Sequence, residues 1–412
     1  LGETHMIEWG EQHLAIRDSF RRFVEAEIKP RREELEHGDT PPYEVLRKMF
    51  ATFGLRDMSL MRYEAELAKA EKKGAADDEP REAKPNPMAG EMAAMQMIPI
   101  IELSRHSPGM VTALGVSAGL TAGTIMSRGT LRQKERWAKD LLTLDKIGAW
   151  AITEPGSGSD AFGAMKASAR RVEGGYLLNG NKTFITNGPW ADTIVFICKL
   201  DEGNDPRDRK VLSFVLEKGM KGLEQTKPLR KMGMHSSPTG ELFLSDVFVD
   251  SERLLGETEE VSYRTGAKDT FKSERTGVVA MALGIVQQCL DLSVEYAKTR
   301  VQFGRPIGEF QLIQLKLAKM EVARMNIQNL VFRIIELAGA GKAMTLAEAS
   351  ACKLYCAGSA MEVALEAVQL FGGNGYMSEY QVEQLARDAK VLQIYGGTDE
   401  IQISQIARSL MS

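Results

Sequence analysis

The chain has 412 residues, with 52 Lys plus Arg against 56 Asp plus Glu and a formal net charge of −4. At roughly 100–200 residues per domain that length calls for two to four domains, and 43% hydrophobic with 26% charged residues excludes a mostly disordered or fibrous chain. The mildly acidic balance argues against a general grip on nucleic acid or anionic lipid, and no uncharged apolar run approaches the roughly 18 residues of a membrane span.

In chain order, residues 1–6 read as an expression scar, with neither an apolar signal core nor an Arg-rich transit segment after them. The expected location is therefore the cytoplasm, or the mitochondrial matrix if the source is eukaryotic. Residues 1–147 are expected to be helical. Leu14, Ile16, Phe20, Phe23, Val24 and Ile28 recur close to one face of a 3.6-residue period over 11–28, and Pro30 is expected to end that helix. Residues 43–53 and 92–103 are further helices. Between them 62–91 is rich in charge, Ala, Gly and Pro, and reads as a short helix running into a mobile loop.

From 148 to 262 the period changes to two. After an apolar run at 149–152, strands are expected at 166–172, 176–178, 193–200, 211–217 and 241–249, with tight turns at Glu173-Gly174-Gly175 and Asn179-Gly180-Asn181. No helical stretch separates them, which predicts an antiparallel β domain. From 263 to 412 long helical runs return at 276–299, 308–338 and 345–370, the pattern of a helical bundle, and Gly372-Gly373-Asn374-Gly375 stops the last of them.

Four cysteines, Cys198, Cys289, Cys352 and Cys356, are too few and too scattered for a disulfide framework and read as small core residues in a reducing compartment. His5, His13, His37, His106 and His235 have no metal-ligand spacing and are expected at the surface or in loops. Gly156-Ser157-Gly158-Ser159-Asp160-Ala161 matches a dinucleotide-binding fingerprint, but the period-two sequence after it lacks the required helix. The loop still offers backbone N–H groups and hydroxyls to a pyrophosphate.

Several motifs together are more specific. Trp150-Ala-Ile-Thr-Glu-Pro-Gly-Ser-Gly-Ser-Asp160, Phe184-Ile-Thr-Asn-Gly188, Arg300-Val-Gln-Phe-Gly304, Gln369-Leu-Phe-Gly-Gly-Asn-Gly-Tyr376, and Arg387-Asp-Ala389 through Tyr395-Gly-Gly-Thr398 follow one another in order. This series resembles the acyl-CoA dehydrogenase family from about residue 148 to the C-terminus. The N-terminal third agrees in helical character but departs at 62–91, where the family has a short loop. The resemblance implies an α+β fold: an N-terminal helical domain, a middle antiparallel β-barrel domain and a C-terminal four-helix-bundle domain. It implies FAD as cofactor and conversion of a saturated acyl-CoA to the trans-2-enoyl-CoA, as in fatty-acid β-oxidation. Electrons would pass to an electron-transfer flavoprotein, or to oxygen in an oxidase; a silent scaffold member is the third alternative.

Carried over residue by residue, the resemblance puts Trp150, Ile152 and Thr153 at the flavin, the Thr186 hydroxyl at N5 and Phe184 beside the dimethylbenzene edge. Ser159 lies near the pyrophosphate and the thioester entrance. Arg300, Phe303, Gln311, Gln369 and Gly373 belong to the cofactor site, acting across a subunit interface of a homo-oligomer, expected to be a tetramer built as a dimer of dimers. Thr398 and Glu400 touch FAD from the same subunit.

Many members carry the catalytic glutamate in a Tyr-Glu-Gly-Thr segment, where this chain has Tyr395-Gly396-Gly397-Thr398. A minority, including isovaleryl- and long-chain acyl-CoA dehydrogenases, places it directly before an arginine on the first bundle helix, which corresponds to Glu274-Arg275 here. Glu274 is accordingly the expected base. The backbone N–H of Gly396 is the expected donor to the thioester oxygen, and Ser159, Arg275 and Tyr395 lie on the substrate side. Read locally, Glu274 is equally an acid in a first helical turn, favoured there by the helix dipole.

Overall fold

The computed structural model describes residues 8–37, 40–72, 85–260 and 263–411, and the side chains of all of these except 72 and 263–273. The expected scar at 1–6 lies outside them, as do residues 73–84 of the charged segment.

The chain opens with α1 (Glu11–Phe23), which runs through a wide turn at Val24–Ile28 and a tight turn at Lys29–Arg31 into α2 (Arg32–His37). Pro30 does not end the path as expected. It sits in the first turn of a new segment, where its missing N–H costs nothing and its fixed φ suits the helix. Next come α3 (Tyr43–Thr52), α4 (Leu55–Lys72), α5 (Pro87–Ser104) and α6 (Pro108–Leu114). The last continues through Gly115–Thr121 into α7 (Ala122–Arg128), with short α8 (Leu131–Gln133) and α9 (Lys139–Leu142) after it. The far end of 62–91 is thus helix rather than loop: Asn86 N–H donates to Gly339 O at 2.8 Å, and a Cβ on Gly90 would come within 3.2 Å of the Gly339 Cα.

The middle block is one curled sheet of β1 (Gly148–Ala151), β2 (Ser168–Val172), β3 (Gly175–Thr186), β4 (Thr193–Leu200), β5 (Val211–Glu217), β6 (Leu223–Gln225) and β7 (Thr239–Asp250). Two pairings are not antiparallel: β4 runs parallel to both β1 and β2 along one edge and antiparallel to β5 along the other. With neighbours on both sides, every residue of β4 is buried, and its sequence is close to continuously apolar. The expected turn at 179–181 is instead a bulge within β3. Gly180 takes φ +147° where the register against β7 shifts, and a Cβ there would lie 2.6 Å from that of Ala167.

Helix α10 (Tyr263–Thr299) leads by a small hairpin, Val301–Gln302 with Arg305–Pro306, into α11 (Gln311–Gly339), α12 (Leu346–Phe371), α13 (Gln381–Val391) and α14 (Asp399–Met411). One hydrophobic core joins the first helices to the last, from Phe20, Val24 and Met49 through Ile98 and Val286 to Leu385, while the sheet keeps its own around Phe196, Phe214 and Leu242. Pro108–Arg128 and Glu274–Thr299 are long and apolar enough by composition to cross a membrane, a feature the count of uncharged runs missed; half and two-thirds of their apolar windows are buried within the fold. His13 and His106 also depart from expectation. Both are buried, His13 against Glu91 at 2.9 Å and His106 between Glu25 and Gln381. All four cysteines are buried and unpaired.

Candidate active site

Glu274 does not lie in a first helical turn. Helix α10 begins at Tyr263, so the local helix-dipole reading falls away. Its side chain crosses to the loop between α13 and α14. A Cβ built on Gly396 would lie 3.4 Å from the Glu274 carboxyl carbon and 3.6 Å from Oε1, so the carboxyl occupies the edge of the space that residue 396 leaves without a side chain. Although the residue keeps some surface open, its carboxyl is desolvated enough to be pushed up to about 6, with Arg275 and Lys353 pulling the other way. No hydrogen bond to it occurs among the described residues.

The loop beneath is built for glycine. Gly396 and Gly397 have φ of +63° and +91°, a left-handed pair that side chains strain to adopt. Both carbonyls are gripped from the bundle. Gln402 Nε2 donates to Gly396 O at 3.0 Å and to Gly397 O at 2.7 Å, and Lys353 Nζ to Gly397 O at 2.8 Å. Arg275 Nε reaches Gly396 O at 3.4 Å, and its Nη1 donates to Ser350 Oγ at 2.9 Å. Arg275 is buried, with its side chain turned to the loop carbonyl and to Ser350. The Gly396 N–H has no protein acceptor among the described residues. Beside it the Tyr395 hydroxyl donates to Met281 Sδ at 3.4 Å, and burial pushes that phenol up.

A second cluster forms where β1 ends. The Glu154 carboxylate accepts the N–H groups of Lys166 (2.7 Å) and Ala167 (2.9 Å) and the buried Lys182 ammonium (2.9 Å), which also donates to Ile152 O at 2.9 Å. Thr183 N–H donates to Thr153 O at 2.9 Å. These bonds pin Ile152 and Thr153 beside half-buried Trp150. Ser157 Oγ donates to Asp160 O at 2.7 Å and folds the Gly/Ser loop into a compact turn with Ser159 exposed on it. Thr186 is flanked by two non-glycine residues at positive φ, Phe184 (+57°) and Asn187 (+64°). Such strain persists where surroundings over-determine it. Here Asn187 Nδ2 donates to Ala113 O and Gly148 O, both at 2.9 Å, and its Oδ1 accepts the Tyr43 hydroxyl at 3.0 Å. Phe184 is 69% exposed.

Arg300, Phe303, Gln311, Gln369 and Gly373 all stand exposed on the bundle, Phe303 at 94% and with φ +52°. No hydrogen bond or ion pair brings them to either cluster among the described residues, and Arg300 has no acidic partner there. Thr398 precedes α14, and the Glu400 carboxyl is held low by its own N–H and the Thr398 hydroxyl. Four contributors escaped the sequence reading as individuals: Lys182, Asn187, Lys353 and Gln402. Lys353 carried a usable signal, because it lies on the stripe Ala349, Cys352, Cys356, Ala357 that α12 buries.

Three family models match: acyl-CoA dehydrogenase N-terminal domain over residues 10–62, middle domain over 149–247 and C-terminal domain over 265–411. The first stops where the charged segment begins. A 2-methylacyl-CoA dehydrogenase, mitochondrial, of Solanum tuberosum is 39% identical over 313 residues, 76% of this chain and 74% of that one. An isovaleryl-CoA dehydrogenase, mitochondrial, of Arabidopsis thaliana is 34% identical over 401 residues, 97% of this chain and 91% of that one. The structure of butyryl-CoA dehydrogenase from Megasphaera elsdenii superposes with a TM-score of 0.83 at 32% identity, covering 98% of this chain and 99% of that one.

Proposed function

Because the chain belongs to the acyl-CoA dehydrogenase family, we propose that it dehydrogenates a saturated acyl-CoA between the α and β carbons with Glu274 as base. The observation that carries this reading is the 3.4 Å separation between the Glu274 carboxyl carbon and the Cβ position of residue 396. A carboxylate delivered from α10 reaches the site that a glutamate at 396 would serve.

The family's cofactor is FAD, and the residues present suit it. Hydroxyls at Thr153, Ser159 and Thr186, an exposed aromatic at Phe184 and, at Arg300, a cation with no acidic partner among the described residues are the donor set an isoalloxazine and a pyrophosphate call for. Trp150, Ile152, Thr153, Phe184 and Thr186 would hold the ring. Thr398, Glu400 and the exposed set Arg300, Phe303, Gln311, Gln369 and Gly373 would hold the remainder, the exposed set from a neighbouring subunit of a tetramer. FAD, when bound, would supply the hydride acceptor, with an electron-transfer flavoprotein as the electron acceptor in this reading.

The chain's own work is the proton. A thioester α proton is weakly acidic, so its removal needs a carboxylate in a dry site and a donor for the enolate oxygen. Glu274 takes the α proton while the Gly396 N–H donates to the thioester oxygen. The β carbon gives up a hydride, and the trans-2-enoyl-CoA remains. Tyr395 and Ser159 border the substrate, and Arg275 holds the loop in place. Four buried thiols suit a reducing compartment.

The test is anaerobic single-turnover reduction by acyl-CoA. Glu274→Gln should keep its yellow cofactor and its ligand affinity yet lose flavin reduction by at least about 10²–10⁴-fold. Reduction at the parent rate would place the base elsewhere.

A further inference from the structure

Helix α12 buries an ammonium on a stripe that is otherwise small and apolar: Ala349, Cys352, Lys353, Cys356, Ala357 and Ala360. The Lys353 side chain is 0% exposed. Taking a charge out of water costs several kcal/mol unless it is well paired. Among the described residues its one ion-pair partner is Asp399, at 3.5 Å, and the other oxygen of that carboxylate already accepts Gln393 Nε2 at 3.0 Å. Its remaining contact is Gly397 O at 2.8 Å, a carbonyl that the neutral Gln402 amide already satisfies at 2.7 Å. As a hydrogen-bond donor Lys353 is therefore largely redundant. What it adds is positive charge. The ionisable groups around it are Asp399 from α14 and Glu274 and Arg275 from α10, which leaves two carboxylates and two cations under one two-glycine loop.

We propose that Lys353 is a positioning residue for dehydrogenation: its buried ammonium, seated between Gly397 O and Asp399, places positive charge under the loop against which the Glu274 carboxylate lies. This rests on the reading of Glu274 as the base. Arg275 supplies the same field from the neighbouring position but is tied to Ser350 and the Gly396 carbonyl, whereas the ammonium approaches from a separate helix.

The experiment measures anaerobic flavin reduction in the holoenzyme between about pH 5 and pH 9 for the parent, Lys353→Met, Lys353→Arg and Asp399→Asn, with Glu274→Gln as control. Lys353→Met should move the acid limb up by about one unit, with affinity for a redox-inert acyl-CoA thioether changed less than about three-fold. Lys353→Arg should bring the limb back. Asp399→Asn, which frees the ammonium from its competing carboxylate, should move the limb down and keeps the test open if Lys353→Met fails to hold flavin. Lower melting temperatures with every limb at the parent pH would make Lys353 a purely structural residue and overturn the proposal. A Glu274→Gln variant that reduces its flavin normally would instead sink the underlying assignment of the base, a separate and distinguishable failure.

Discussion

The proposed base rests on a carboxylate and a glycine that exchange places, and both residues of that reading are visible in the sequence. Gly396 cannot take a proton, and Glu274 precedes an arginine where a minority of the family keeps its base. What no sequence could supply is the 3.4 Å that joins them, because 121 residues of folding intervene. The sign of the pH dependence follows. Burial lifts Glu274 to about 6, and the proposed base must be ionised to act, so on that proposal reduction should fall away as pH drops through about 6. Stability runs the opposite way. A carboxyl raised in the folded state favours folding below its unfolded value near 4.5, and that contribution is lost as pH rises through about 6. Glu274→Gln is therefore expected to melt higher than the parent at pH 8, by about 1–2 kcal/mol of stability, with the advantage gone by about pH 4. Calorimetry at the two pH values checks this, and equal melting at pH 8 contradicts it. Gly396→Ala should cost about 1–2 kcal/mol for its left-handed φ and slow reduction, since its methyl would touch the Glu274 carboxyl; Gly396→Glu in a Glu274→Gln background tests whether a carboxylate from the other side recovers part of the rate.

At the scale of elements, strands were read best where burial leaves the pattern unambiguous. Residues 193–200 and 211–217 coincide with β4 and β5, both long apolar runs closed by turns. The start of α10 was missed because 263–273 carry no apolar stripe, and the structure, not the sequence, shows that Glu274 lies well inside a helix. Asn-Gly at 179–180 is ambiguous for a physical reason: a glycine at positive φ serves a hairpin turn and a bulge equally, and only the partner strand decides. Asn187 ties three elements together, α3 through Tyr43, α6 through Ala113 and β1 through Gly148, while holding φ +64°. Asn187→Ala leaves two buried carbonyls and a buried phenol without this partner, and should cost about 3 kcal/mol or more. Chemical denaturation measures it, with reduced flavin retention expected alongside; a loss within about 0.5 kcal/mol would show that the three contacts contribute little.

The whole molecule shares one core between its first and last helices, and titratable groups sit inside that seam. His106 is 2% exposed, between Glu25 on the α1 side and Gln381 on α13, and desolvation pushes it down to about 4 despite the Glu25 carboxylate. A histidine lowered in the folded state supports folding above its unfolded value of 6.5, and that support drains as pH falls toward 4. Up to about 3 kcal/mol is at stake, and His106→Gln should flatten the decline of melting temperature across that window. An unchanged decline would assign acid sensitivity to other groups.

The exposed residues raise the larger question of assembly. Arg300 and Phe303 stand at the hairpin after α10, both in solvent, and the adjoining helix α11 exposes Leu312, Leu315, Val322 and Met325 at intervals that keep them near one face. Scattered apolar residues are ordinary on a surface, but a run of them on one helix beside an exposed arginine and a 94%-exposed phenylalanine is the pattern of a covered face. If a second copy covers it, Arg300 meets that copy's cofactor, and one substitution should disturb two properties at once. Arg300→Ala is then expected to weaken FAD retention and to lower the melting temperature together, because a ligand bound only by the native assembly stabilises it by mass action. The apoprotein of the same variant should melt close to the parent apoprotein, which separates lost cofactor binding from a damaged fold. Light scattering with flavin absorbance on the same peak decides the matter: a monomer that retains its full complement of FAD would show that the bundle residues do not act across subunits.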